Sequence, residues 1–356
     1  MVTLRRLPAT FLVAALALSG CTLLFPLGDH ELLVGDGGGG GDALADAPVA
    51  ETGASDAGVD DAAIRFDPAE TVATLPVGAT YLALAPGLAY VGAPEGLVLR
   101  VNVTTGAVET LNNKADPSQP VTVTGLESDA ISLYVGMGQT NIGCGNAAYV
   151  YRRDHGDGGF TSLLTRCGLT SAIAIDLADV SAAISSGDIV LLPKPGGSLP
   201  LASGLAEPSA LASTNEDLFV GSASGKSIVR VPKSADAGSP FAPSAGIVRD
   251  VVADEARVYW LAGDGTVYAK ARTADAAQAP TVLATGQTAP LHLAADATRL
   301  FWTASGDGVV RSVAKAGGDV VTVADHENDP FDVAVDANHV YWTARAGGAL
   351  RRAAKH

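Results

Sequence analysis

Asp254-Glu-Ala-Arg-Val258-Tyr259-Trp260 recurs as Asp296-Ala-Thr-Arg-Leu300-Phe301-Trp302, and again as Asp336-Ala-Asn-His-Val340-Tyr341-Trp342. These copies hold all three tryptophans of the chain, 42 and 40 residues apart. After each comes a glycine turn and a second run of alternating character: Gly265-Thr-Val-Tyr-Ala-Lys270, Gly308-Val-Val-Arg-Ser-Val313 and Gly348-Ala-Leu-Arg-Arg-Ala353. A pattern held at a fixed spacing marks a repeated supersecondary unit.

Weaker copies lie upstream. Leu218-Phe219-Val220 precedes Gly225, Leu133-Tyr134-Val135 precedes Ala147–Tyr151, and Leu88-Ala-Tyr90-Val91 precedes Gly96. A seventh copy, around Asp179–Ala183, carries Ser181 where the others carry an aromatic ring. The repeat positions are thus Tyr90, Tyr134, Ser181, Phe219, Tyr259, Phe301 and Tyr341, at steps of 38 to 47 residues.

Each unit reads as four short strands. Phe331–Val335 alternates as a first, the aromatic segment is a second, and the run after the glycine turn is a third. Segments such as Thr281–Ala284 and Asp319–Ala324 supply a fourth. Four strands in some forty residues, with turns between them, describe a β-propeller blade. The fold expected is all-β, a seven-bladed propeller over 70–356, or a six-bladed one if the Ser181 unit is not a blade. The last unit stops at His356, after its third strand, whereas Glu70-Thr-Val-Ala-Thr-Leu75 reads like a fourth. Residues 70–76 are therefore expected to form the outer strand of the final blade, hiding two sheet edges. The aromatic residues are expected to pack between blades.

The Tyr341-Trp342-Thr343 and Phe301-Trp302-Thr303 segments resemble YWTD-type and NHL-type propeller repeats. Ala304 and Ala344 replace the acidic residue that ends the YWTD motif, so that family's contacts between blades do not carry over. The resemblance supports the fold and says little about function.

The start of the chain has its own logic. Arg5-Arg6, an apolar run from Leu7 to Leu18 and Ser19-Gly20-Cys21 describe a secretory signal, with too few apolar residues to span a bilayer. Leu18-Ser19-Gly20-Cys21 resembles the bacterial lipoprotein lipobox, which implies removal of residues 1–20 and lipid attachment to Cys21. The lipid anchors the protein to a membrane. Thr22 follows, without the Asp that favours inner-membrane retention, so the expected place is the cell envelope, at the outer membrane. Residues 21–69, with Gly37–Gly41 at their centre, form a flexible acidic tether. From Cys21 to Glu70 eleven acidic residues face one base, Arg65, so most of the chain's net charge of −15 belongs there. That charge argues against nucleic acid as a partner.

Cys144 and Cys167 remain once Cys21 is assigned to lipid. Folding the intervening hairpin about His155–Gly156 sets them opposite each other on the third and fourth strands of the second blade. In an oxidising compartment that reads as a disulfide. Metal and cofactor sites are not expected. Asp325-His326-Glu327-Asn328-Asp329 joins one blade to the next on the face that also carries the glycine turns. With Glu95, Asp264, Asp307 and Arg345 it makes a candidate ligand rim of Glu95, Asp264, Asp307, Asp325, His326, Glu327, Asp329 and Arg345. His292, His326 and His339 fall at different points of the repeat, and the chain shows no nucleophile elbow or phosphate-cradling loop. The reading is a lipid-anchored platform for an envelope protein or glycan rather than an enzyme. The alternative is a calcium-dependent propeller enzyme of lactonase or lyase type.

Overall fold

The computed structural model describes residues 64–111, 121–142, 145–156, 158–235 and 237–356, all within one unit, Val59–His356. Seven four-stranded antiparallel sheets form the seven blades of a propeller. Blade 1 runs from Leu82 to Leu111, blade 2 from Val121 to Cys167 and blade 3 from Thr170 to Ala202. Blade 4 covers Pro208–Pro243, blade 5 Val248–Ala284 and blade 6 Pro290–Ala324. Blade 7 takes three strands from Pro330–Ala354 and its outer strand from Glu70–Thr74. The Ser181 unit is a full blade, with Ser181 paired to Leu191 and Ala174 like any repeat position.

The closing strand pairs Glu70 with Arg352 and Thr74 with Ala349. It also reaches further upstream than its sequence suggests. Phe66 bridges Lys355, Asp67 N–H donates to the Ala354 carbonyl, and His356 N–H donates to the Arg65 carbonyl. Residues 65–69, read above as the end of the tether, thus continue along the last strand.

The repeat aromatics sit on the second strand of each blade and are buried: Tyr90, Tyr134, Phe219, Tyr259, Phe301 and Tyr341, with Trp260, Trp302 and Trp342 beside them. One apolar cluster runs from Tyr259 and Leu261 of blade 5 to Trp302 and Val313 of blade 6; another joins Tyr341 of blade 7 to Val91 and Val101 of blade 1. Each blade buries its faces on its neighbours, as the aromatic periodicity predicted, and a buried ring contributes a few kcal/mol.

A polar staple repeats beneath the aromatics. In every blade the residue after the third strand donates its N–H to the turn that opens the second strand: Val103, His155, Lys194, Lys233, Arg272, Lys315 and Lys355. Six of these seven reach a polar group on the preceding blade. Lys194 bonds Asp129 at 2.7 Å, Lys315 bonds Asp254 at 2.8 Å and Lys355 bonds Asp296 at 2.9 Å. Lys233 pairs with Asp176, Arg272 with Thr214 and His155 with the Tyr90 hydroxyl. Each aspartate also accepts two N–H bonds from its own turn; Asp129 takes those of Ile131 and Ser132. Burial opposes its ionisation, but the Lys194 bond and those two N–H bonds outweigh it and hold the carboxyl at about 2.

Ring closure makes the chain's beginning part of its end. Truncation before Pro76 exposes the third strand of blade 7 as an edge. The expected result in scanning calorimetry and gel filtration is a lower melting temperature with self-association; a truncation that starts at Ile64 keeps the intact behaviour.

Candidate functional site

The inner strands of the seven blades surround a central channel with a cavity of about 600 Å³. In blades 2 to 7 each inner strand shifts register near its start, a bulge of the kind that re-aims side chains. The residue nine positions before the repeat aromatic lines the cavity in every blade: Tyr81, Gly125, Ala172, Ala210, Asp250, His292 and Asp332. Gly125, Ala172, Ala210 and Asp250 face Gly136, Ala183, Gly221 and Leu261 across the sheet, two residues past the aromatic in each case.

This layer is lopsided. Blades 5, 6, 7 and 1 place Asp250, His292, Asp332 and Tyr81 side by side, while blades 2, 3 and 4 offer only Gly125, Ala172 and Ala210. At this level one wall of the channel is polar and aromatic and the opposite wall carries only small residues, although Thr124, Glu127, Ser171 and Ser209 line the cavity at neighbouring levels. His292 Nδ1 lies 3.4 Å from Asp250 and 3.8 Å from Asp332. Its ring meets Tyr81 edge-on at 5.5 Å and Phe331 at 4.9 Å between centroids. Both aspartates also stitch neighbouring blades: Asp332 accepts the Leu82 N–H at 2.7 Å, and Asp250 accepts the Leu293 N–H at 2.9 Å.

Seven positions before the aromatic stand Ala83, Glu127, Ala174, Ala212, Val252, Ala294 and Ala334, all but Ala174 and Ala212 lining the cavity. Glu127 is the single polar residue among them. Burial, with the charges of Asp250 and Asp332 added, pushes its carboxyl up to about 8. Burial likewise raises Asp332, with Asp250 adding to the rise and His292 opposing it. For His292 burial favours the neutral ring, but the Asp332 charge and the Asp250 contact outweigh it and raise its pKa. The Tyr81 hydroxyl is pushed up to about 12 by burial and the same two aspartates. The chemistry on offer is a protonated carboxyl that donates, two carboxylates that accept and an imidazole held between them.

None of the eight residues of the expected rim lines this cavity. They do lie on turns of one face, but most are engaged elsewhere. Glu327 is buried, accepting the Trp342 indole N–H at 2.9 Å and pairing with Arg351 at 3.0 Å, so it is a structural group rather than a ligand residue. Asp329 and Arg345 form a two-pronged ion pair, and the Arg345 guanidinium covers the Phe331 ring at 4.7 Å. Asp307 pairs with Arg311, and Asp264 caps its own turn through Thr266 N–H. Asp325 and His326 contact each other in solvent, and Glu95 stands exposed with φ of 62°. The fold does not gather these eight residues around the cavity. The signal for the channel was a count back from each aromatic, which sets His292 level with Asp250 and Asp332.

The strand register at the cysteines differs from the one counted. Blade 2 pairs Cys167 with Ala147, because its hairpin register is shifted and carries a bulge at Val150/Tyr151. Cys167 is disulfide-bonded, while Cys144, its expected partner, lies outside the described residues. So do Cys21 and the signal and tether up to residue 63. Among the described residues no helix is long and apolar enough to cross a membrane, and no group of three or more His, Cys, Asp or Glu is placed to hold a metal ion.

No family model matches the chain, and no curated protein matches it. Solved structures do. A streptogramin B lyase aligns over 82% of this chain and 98% of its own, at 12% identity and a TM-score of 0.65. The WD40 propeller domain of Doa1 aligns over 82% and 96%, at 12% identity and 0.61. The computationally designed Ika8 protein aligns over 80% and 99%, at 16% identity and 0.59. At such identities the likeness is one of fold.

Glu127 gives a pH signature. Its folded pKa lies above the ordinary carboxyl value, so the folded state gains from its proton at low pH and loses that gain between about pH 4.5 and about pH 8. Glu127→Gln should flatten the fall of melting temperature with pH across this window and leave the variant the more stable form at pH 8.5. Parallel melting curves for the two proteins would refute the assignment.

Proposed function

We propose that this protein is a lipid-anchored binding module of the bacterial cell envelope, and that its central channel receives a saccharide end, free or carried by a glycosylated partner. The observation that carries this reading is the lopsided channel layer. Asp250, His292, Asp332 and Tyr81 line one side, with only Gly125, Ala172 and Ala210 at the same level on the other. A cavity of about 600 Å³ lies within the range of small-ligand sites. Sugar hydroxyls need donors and acceptors together, and a protonated Glu127 beside two aspartates supplies both. The Tyr81 and Phe331 rings supply apolar surface for the C–H face of a pyranose.

The reading is binding rather than catalysis, because both aspartates are also engaged in holding adjacent inner strands. Titration calorimetry with short envelope saccharides should show saturable binding to the full chain. Ala172→Leu, which fills the open side, and His292→Ala, which removes the centre of the polar wall, should each weaken it at least tenfold. Turnover of a lactone or ester that depends on His292 would favour the enzymatic alternative, and the absence of any saccharide binding would remove the proposal.

The anchor rests on Leu18-Ser19-Gly20-Cys21 alone. Radiolabelled palmitate fed to expressing cells should enter the wild-type protein and not Cys21→Ser, which should leave the membrane fraction. Equal labelling of both would exclude lipidation at Cys21.

A further inference from the structure

The polar staple is present at six junctions and changes character at the seventh. Where blade 1 meets blade 7, the residue after the third strand is Val103. Its equivalence to the staple cations rests on two bonds. Val103 N–H donates to the Gly87 carbonyl, as Lys194 N–H does to Ala178 and Lys315 N–H to Thr298. The Val103 carbonyl accepts from Arg352 of blade 7 at 3.0 Å, as Lys194 accepts from Arg152 and His155 from Arg100.

Blade 7 nevertheless keeps the receiving half of the staple. Asp336 caps its turn through the N–H groups of Asn338 and His339, as Asp254 does through Ala256 and Arg257. The Tyr341 hydroxyl, its pKa raised by burial and by the Asp336 charge, lies beside Asp336 in the place where Tyr134 bonds Asp129 and Tyr259 bonds Asp254. In the filled copies the lysine ammonium touches the carboxylate and also stands over the ring: Lys194 over Tyr134 at 5.5 Å, Lys315 over Tyr259 at 5.4 Å and Lys355 over Phe301 at 5.6 Å. Among the described residues blade 1 offers Asp336 no such cation. His339 of its own blade lies 3.7 Å from the Asp336 carboxylate, Lys355 donates to the Asp336 backbone carbonyl at 2.6 Å, and Arg352 of the same blade stands at the Tyr341 hydroxyl.

A cavity of about 470 Å³ opens at this junction, bordering the central channel at Leu84, Ser128 and Val335 and on the opposite face from the glycine-turn rim. Asp336 and Tyr341 form its polar end; Leu84, Pro86, Leu88 and Val103 give it an apolar wall. Asp129 also borders it but is already paired with Lys194. We propose that this junction is a binding site for an alkylammonium group, a small primary amine or the lysine side chain of a partner protein. The ammonium takes the place over Asp336 and Tyr341 that Lys194, Lys315 and Lys355 take in the other copies, and the alkyl chain lies along Leu84, Leu88 and Val103. The carboxylate supplies the charge-assisted bond and the ring a cation–π contact. The apolar wall rewards a chain of several methylenes over ammonium itself.

The test titrates n-butylamine into the purified full chain at pH 7, with n-butanol and ammonium chloride as controls. Butylamine should bind saturably and both controls at least tenfold more weakly. Asp336→Asn should lose the binding. Val103→Lys, which restores the cation from within the chain, should also lose it while raising the melting temperature. Nα-acetyl-lysine methylamide separates the two sources: binding like that of butylamine points to a partner's lysine, and exclusion points to a small amine. No saturable binding by the wild type, or binding unchanged in both variants, would overturn the site. His292→Ala, placed in the central channel, should leave butylamine binding intact, so this proposal and the saccharide reading fail separately.

Discussion

A propeller blade is stable only between two other blades. Each sheet here has an apolar face on either side, and neither can be buried within the blade itself. The structure therefore depends on closing the ring, and closure depends on backbone pairing between Glu70–Thr74 and the strand that ends at Ala354. That contact joins residues some 280 positions apart. Without it the blade 7 edge is open and the cluster that runs from Tyr341 to Val91 loses its partner. Closure also explains why the bridge at Phe66 and the bond from His356 to Arg65 matter, since they lengthen the seam beyond the regular strand.

Between closure and the apolar clusters stands the staple. A lysine with a long flexible stem costs conformational entropy to fix, and a buried ion pair gains only where geometry is good. Here the geometry repeats: the aspartate is first held by two turn N–H bonds, and the cation then arrives from the next blade against an aromatic ring. The device varies with the repeat. Blade 4 uses Thr214 with Arg272, blade 1 uses the Tyr90 hydroxyl with His155, and the 7–1 junction has Val103 instead. A sevenfold scaffold thus keeps its geometry while one junction gives up its cation.

The same contrast shapes the channel. Bulged inner strands present one residue per blade to the axis at a common level. Four consecutive blades carry polar or aromatic residues there and three carry glycine or alanine. Asymmetry in a nearly symmetric ring is what gives this level of the cavity a polar side and a side of small residues. Glu127 adds to it from the layer below, alone among alanines and a valine. Its proton is held because both burial and neighbouring carboxylates penalise its charge.

Much of this architecture was written locally. The Tyr-Trp and Phe-Trp segments, the glycine turns and the missing fourth strand at the C-terminus determined blade, number and closure, because period, turn chemistry and strand alternation are properties of neighbouring residues. The residues of the expected rim were placed by the fold in ways a linear reading does not show. A polar run such as Asp325–Asp329 looks like a site in one dimension, yet Glu327 turns inward to Trp342 and Arg351, and Asp329 is spent on Arg345. The counted Cys144–Cys167 register is off by three residues, of which the bulge at Val150/Tyr151 contributes one, yet Cys167 is disulfide-bonded all the same. Only the folded ring decided which residues meet: His292, Asp250, Asp332 and Tyr81 come from four blades, and Asp336 acquires a neighbour in Val103 from the far end of the chain. Sequence fixes what each blade can present at its own level, whereas the closed circle of sheets fixes what stands beside it.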